Sequence, residues 1–201
     1  MKQSIVTLDL EGVLTPEIWI AVADQTGIAE LRRTTRDEPD YDKLMRYRLE
    51  ILDRHGITLG RIQAIIGVLA PLPGAVEFLQ TLRDELPVII LSDTFEQFAA
   101  PLIRQLGWPT LFCNRLVVEG DRITGYQLRQ PDQKRHAVIA FQSLNYRVIA
   151  AGDSFNDATM LAQADHAFLF RAADALVRQF PKFPAVDEYE KLLKAIRGFA
   201  A

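Results

Sequence analysis

Short apolar runs that take turns with helical stretches constrain this chain more than any other feature. The runs 5–8 (IVTL), 87–91 (PVIIL), 116–118 (LVV), 147–151 (RVIAA) and 166–170 (HAFLF) each read as a short buried strand. Helical stretches lie between most of them. The clearest are 74–86 and 95–106, the second closed by Gly107 with Pro109 just beyond. Strands alternating with helices imply an α/β fold, a Rossmann-like parallel sheet with helices on both faces. Residues 112–129 depart from this: two β-prone runs flank Glu119-Gly120-Asp121, which reads as a β-hairpin.

Residues 15–73 interrupt the alternation with helical patterning and no convincing strand. Thr15-Pro16 reads as the cap and first-turn proline of a helix running to Gly27. A second helix is expected over 41–55, stopped by Gly56, and a third over 58–69. Pro71-Leu72-Pro73-Gly74 then returns the chain to its earlier pattern. The expected organisation is a catalytic core of 1–14 and 74–201, with a helical cap domain of 15–73 inserted after the first strand.

At 201 residues, such a chain buries about 70% of its unfolded surface and needs no covalent staples. A net charge of −3 gives no reason to expect nucleic acid or an anionic membrane as partner. Cys113 is the single cysteine, so no intrachain disulfide can form, and a reducing compartment fits. Asp9 and Glu11 interrupt any signal-peptide core, and the uncharged stretch 64–76 is too short and too proline-broken to span a bilayer. The expectation is a soluble, cytoplasmic protein acting on a small molecule. A homodimer is compatible with the hairpin, which could extend a sheet or contact a partner.

In parallel sheets, ligands bind beyond the carboxyl ends of the strands. Asp9 and Glu11 follow the first strand, two residues apart and therefore on one face of it. Ser92, Asp93 and Thr94 follow the second; Gly152 and Asp153 follow RVIAA, with Asn156 and Asp157 one turn on. Lys134 lies before the helical run 136–144. Each has an ordinary reading as well. Asp9 and Glu11 could be a solvated strand end, Ser92 a helix cap and Lys134 a solvated lysine, while Asp153 or Ser154 could cap the next helix. Together they supply complementary roles for phosphoryl transfer through an aspartyl phosphate. Asp9 serves as nucleophile, Glu11 as proton donor and acceptor, and Ser92 and Lys134 hold phosphoryl oxygens, with Mg²⁺ between Asp9 and Asp153.

The stretches DLEGV, LSDT, Lys134 and GDSFND resemble, in order, the four motifs of the haloacid dehalogenase-like phosphatases. EIWIA, PDYDKLM, VIILSDTF, GYQLRQ and YRVIAAGDS are more closely similar to the phosphoserine phosphatases that also transfer phosphate to homoserine. The resemblance implies that Asp9 is nucleophile and metal ligand. Glu11 is then acid/base with its backbone carbonyl on the metal, Asp153 completes the ligands, and Asp157 supports them. Ser92 with Asp93, and Lys134 with Asn156, would surround phosphate and substrate. Most of the superfamily has Asp where this chain has Glu11, and the extra methylene moves the proton donor.

The expected helix 41–55 carries Arg48 within an apolar stripe, where an arginine either snorkels to the edge or offers a fork to a carboxylate. Glu17, in the first turn of the first cap helix, could merely favour the helix dipole. In the resembled family the matching Glu and Arg hold the amino and carboxylate groups of phosphoserine. The reading is therefore a Mg²⁺-dependent phosphoserine phosphatase and phosphoserine:homoserine phosphotransferase. Phosphothreonine, phosphoethanolamine or another small phosphorylated metabolite is the alternative substrate. From other classes, a phospho-accepting receiver or a binding protein that lost catalysis competes with it.

Overall fold

The computed structural model describes residues 2–35, 37–38 and 40–200. Its centre is a seven-stranded sheet of β1 (Ser4–Leu8), β2 (Val88–Phe95), β3 (Thr110–Glu119), β4 (Arg122–Gln127), β5 (Arg147–Gly152), β6 (His166–Phe170) and β7 (Ala185–Val186). Their order is β4-β3-β2-β1-β5-β6-β7. All neighbours pair in parallel except β3 and β4, the antiparallel hairpin read from the sequence. β7, only two residues long, carries no periodicity by which a sequence could announce it.

The central strands are mostly apolar because both faces are covered. Their side chains alternate: Val6, Leu8, Ile149 and Ala151 pack with α4 (Ala75–Glu85) and α9 (Tyr189–Ala200) on one side. Ile5, Val148 and Ala150 pack with α6 (Gln133–Ser143) and α7 (Ala158–Gln163) on the other. A third apolar cluster joins α1 (Ile18–Thr26), α2 (Tyr41–Arg54) and α3 (Leu59–Gly67) to α5 (Glu96–Gln105) and the hairpin, through Trp19, Met45, Ile62, Phe98, Leu116 and Ile123. The helical stretch after β1 is thus seated on α5 and the hairpin. A short α8 (Asp174–Gln179) lies between β6 and β7.

Two sequence readings are corrected. Thr15 does not cap α1; its hydroxyl donates back to the Leu10 carbonyl, and the helix starts at Ile18 with Glu17 as N-cap. Lys134 does not precede its helix. Asp132, at φ 47°, turns the chain so that α6 begins at Gln133 and Lys134 sits in its first turn. The left-handed backbone of one aspartate makes that difference. β1 lies between β2 and β5, so the strand order reverses on either side of it, and a crevice opens beyond its carboxyl end.

Candidate active site

Asp9 is the first residue past β1, 4% exposed, its N–H tied to the Ala151 carbonyl. Lys134 Nζ donates to Asp9 Oδ1 and to Asp157 Oδ1, each at 2.7 Å, and lies 3.9 Å from Asp93 Oδ2. Burial works against the lysine's charge, but Asp157, Asp9 and Asp93 outweigh it and hold its pKa well above the usual value. Asp9 is pushed well above the carboxylate range, first by burial and then by Asp157; Lys134 opposes this and Asp153 adds to it. The neighbouring carboxylates push both groups upward, and for Asp9 burial acts in the same direction and is the larger cause.

Asp9, Asp153 and Asp157 bring oxygens within 4.8 Å of one another. Two glycines make that convergence possible. A Cβ on Gly12, which sits at φ 79°, would lie 2.3 Å from Asp153 Oδ2, and one on Gly152 would lie 2.4 Å from Asp157 Cγ. Asp157 Oδ2 accepts from the N–H groups of Asp153 and Ser154, so both its oxygens are already engaged by the protein. Ser154 caps the short 3₁₀ turn 155–157, as one of the sequence readings allowed. Hard oxygen donors and a buried surplus of negative charge fit a hard divalent cation such as Mg²⁺.

Glu11 lies on the cleft side of Asp9. Its Oε2 accepts from Ile18 N–H, the first residue of α1, at 2.8 Å. Burial and then Glu17 raise its pKa to about 7, against the opposing pull of Ile18 N–H, Arg48 and Thr94. Ser92 does not cap α5, whose N-cap is Phe95; its hydroxyl instead accepts from Thr94 N–H within β2. The Asp93 carboxylate accepts from Gln133 and from Asn156.

Arg48 does not snorkel. It is 5% exposed, its guanidinium rests 4.5 Å over the Trp19 ring, and one nitrogen donates to the Arg33 carbonyl. Its Nε has no protein partner among the described residues. Asp9, Glu11, Glu17, Arg48, Ser92, Asp93 and Asn156, all singled out from the sequence, line one cleft, and Lys134 reaches Asp9 from below. The same cleft includes Thr34 and Thr35, which no motif announced, and Trp19, Tyr41 and Thr94, which lie in the stretches EIWIA, PDYDKLM and LSDT but were given no role there. Tyr41 and Trp19 follow helix spacing and look like core from sequence alone. Their polar work is visible only once α2 meets β2, where Tyr41 Oη donates to the Asp93 carbonyl at 2.9 Å.

Comparison with known proteins agrees with this architecture. The family of haloacid dehalogenase-like hydrolases matches residues 4–165. A phosphoserine phosphatase of Pseudomonas syringae pv. tomato is 61% identical over 191 residues, spanning 94% of this chain and 81% of that protein. Phosphoserine phosphatase ThrH of Pseudomonas aeruginosa is also 61% identical over 189 residues, spanning 94% and 92%. The solved structure of phosphoserine phosphatase from T. onnurineus superposes with a TM-score of 0.74 at 25% identity, over 97% of this chain and 94% of that one. A substrate-bound phosphoserine phosphatase complex gives 0.79 at 20% identity, over 97% and 99%, a likeness of fold.

Proposed function

The chain belongs to the haloacid dehalogenase-like hydrolases, and we propose that within that family it is a phosphoserine phosphatase able to pass the phosphoryl group to water or to homoserine. The observation that carries the reading is one cleft with two chemically distinct ends. Asp9, bonded to buried Lys134, forms the phosphoryl end; Glu17 and Arg48 line an end suited to an amino acid's ammonium and carboxylate. Two relatives at 61% identity that bear the name phosphoserine phosphatase support it.

In the proposed reaction an Asp9 oxygen attacks phosphorus as the bond to the serine oxygen breaks, leaving an aspartyl phosphate. Glu11 gives its proton to the departing alkoxide; a carboxyl with a pKa about 7 can hold that proton near neutrality. Glu11 then takes a proton from water or from an acceptor hydroxyl, which attacks phosphorus and frees Asp9. Lys134 and Ser92 steady the phosphoryl oxygens, with Asn156 beside them. Mg²⁺, when bound, would be held by Asp9, Asp153 and the Glu11 carbonyl and would offset the negative charge gathered there. Asp157, engaged by Lys134 and two backbone N–H groups, would orient that set rather than join it. Residues 15–73 would act as a cap that excludes bulk water and lets an alcohol compete for the intermediate.

Transfer to homoserine is favoured by Glu11 itself. Its longer side chain is docked on α1, so the proton acceptor is fixed beneath the cap. Phosphorus NMR of the protein with Mg²⁺, L-phosphoserine and L-homoserine tests both statements. Phosphohomoserine is the expected product, accompanied by inorganic phosphate. Inorganic phosphate alone removes the transferase activity, and an unchanged phosphoserine signal removes the substrate assignment.

A further inference from the structure

Residues 92–94 are the one stretch of β2 that leaves its ladder. Leu91 pairs with Phe112 and Phe95 with Asn114, so three residues of β2 stand opposite a single residue of β3. A bulge of this kind re-aims side chains and strips carbonyls of their strand partners. Here it points Ser92 and Thr94 into the cleft. The freed carbonyls need other donors, since buried unpaired ones are costly.

Side chains supply them. Gln133, 4% exposed, donates from Nε2 to the Ser92 carbonyl at 2.7 Å and to Asp93 Oδ1 at 2.9 Å. Its Oε1 accepts from Arg129 Nε at 3.1 Å. Arginine has donors only, so that contact fixes which way the amide faces. Arg129 is itself held three ways: a second nitrogen on the Gln133 carbonyl at 3.2 Å, its guanidinium 5.0 Å over Phe112, and its N–H on Asn114 Oδ1 at 3.0 Å. Asn114 Nδ2 in turn donates to the Asp93 carbonyl, which also accepts from Tyr41.

We propose that Gln133, oriented by Arg129, is a positioning residue that holds the 92–94 bulge in the conformation that receives the phosphoryl group. It replaces the missing ladder bond at Ser92 and touches neither substrate nor metal. This rests on the phosphatase reading of the cleft. Because the effect is on the phosphoryl end, it is the same for every phosphate ester, unlike a change at Arg48.

The test is a double-mutant cycle with Gln133→Met and Arg129→Met, together with Gln133→Glu, which keeps the Arg129 contact but can donate neither to the Ser92 carbonyl nor to Asp93 Oδ1, against which it sets a second carboxylate. Misplacing a reacting group by about 1 Å costs about 100-fold. Gln133→Met and Gln133→Glu should therefore lower kcat/KM about 10- to 100-fold, equally for L-phosphoserine and p-nitrophenyl phosphate. Inorganic phosphate, measured by calorimetry with Mg²⁺, should bind correspondingly more weakly. Arg129→Met should lose less, and should add nothing once Gln133 is Met. Losses that simply add in the double variant overturn the proposal, as does a lowered melting temperature with kinetics and phosphate binding unchanged. If Gln133→Met fails to fold, Gln133→Glu and Arg129→Met decide by the same readouts. A wild-type protein that turns over neither ester defeats the phosphatase reading, and phosphate binding by the variants then decides the role of Gln133.

Discussion

Replacing Arg48 with Met removes a guanidinium while leaving most of its volume, so the cavity term is small and the electrostatic one stands alone. In the folded protein the group is 5% exposed, stacked on Trp19, bonded to the Arg33 carbonyl, and left with a buried Nε that has no partner among the described residues. Burial pulls its pKa down to about 10, with Tyr41, Glu11 and Glu17 opposing, so at pH 7 it is still fully charged. Truncating one partner of a buried, hydrogen-bonded charge pair costs about 2–5 kcal/mol. If Arg48 grips the substrate carboxylate, kcat/KM for L-phosphoserine should fall about 30- to 5000-fold. p-Nitrophenyl phosphate has no carboxylate and should change by less than about threefold. The melting temperature should move little, because an apolar side chain over Trp19 offsets the lost cation–π contact. Paired kinetics on the two esters, with a thermal melt, make the check. Equal losses on both esters would refute the argument and remove Arg48 from substrate recognition.

Gly12→Ala sets a methyl 2.3 Å from Asp153 Oδ2 at a positive φ. It should cut turnover about 100-fold, with partial recovery at raised Mg²⁺; wild-type rates and an unchanged Mg²⁺ requirement would contradict the assigned role of Asp153. Tyr189→Phe removes a 2.6 Å bond to the Val13 carbonyl but keeps the rings stacked on Phe78 and Phe170. It should lower stability by about 0.5–1.5 kcal/mol, read as a drop of a few degrees in melting temperature, and no drop would dismiss that bond. Cys113 is buried, which raises its thiol to about 12, with Glu96 adding and Arg129 opposing. At pH 8 only about one thiol in ten thousand is then ionised. A thiol-reactive disulfide reagent should label the folded protein far more slowly than the denatured one, and equal rates would disprove the burial.

The alternation of strands and helices was legible because each central strand is covered on both faces and so is mostly apolar, with only Ser4 and Thr7 breaking the run in β1. Asp9 and Asp153 sit just past β1 and β5, as the alternation and parallel topology imply, whereas Ser92, Asp93 and Thr94 do not follow the second strand but lie inside it, at a bulge before β2 ends at Phe95. Lys134 lies beside Asp9, but its burial depends on the left-handed turn at Asp132, which leaves no hydropathy signal. Gln133, Asn114 and Arg129 were invisible for a related reason. Their partners are carbonyls freed by a bulge in β2, and a bulge is a mismatch between two strands far apart in sequence. Thr15 misled because a Thr-Pro pair before an apolar run is a good cap signal, and here Glu11 supplies the bond to Ile18 N–H instead.

That substitution of one cap for another joins the two ends of the proposed chemistry. The carboxylate that ends the tether to α1 is the one assigned to proton transfer, so the cap's first helix and the proton donor share a hydrogen bond. A helix N-terminus stabilises the ionised form of a carboxylate, whereas burial and Glu17 stabilise the neutral form. The balance leaves Glu11 able to hold a proton or release it near neutral pH, as both halves of a double displacement require. Through its bond to Ile18 N–H the carboxylate assigned to proton transfer is tied to α1. On this view the departure at position 11 trades reach toward free water for a proton acceptor fixed where a capped alcohol would sit.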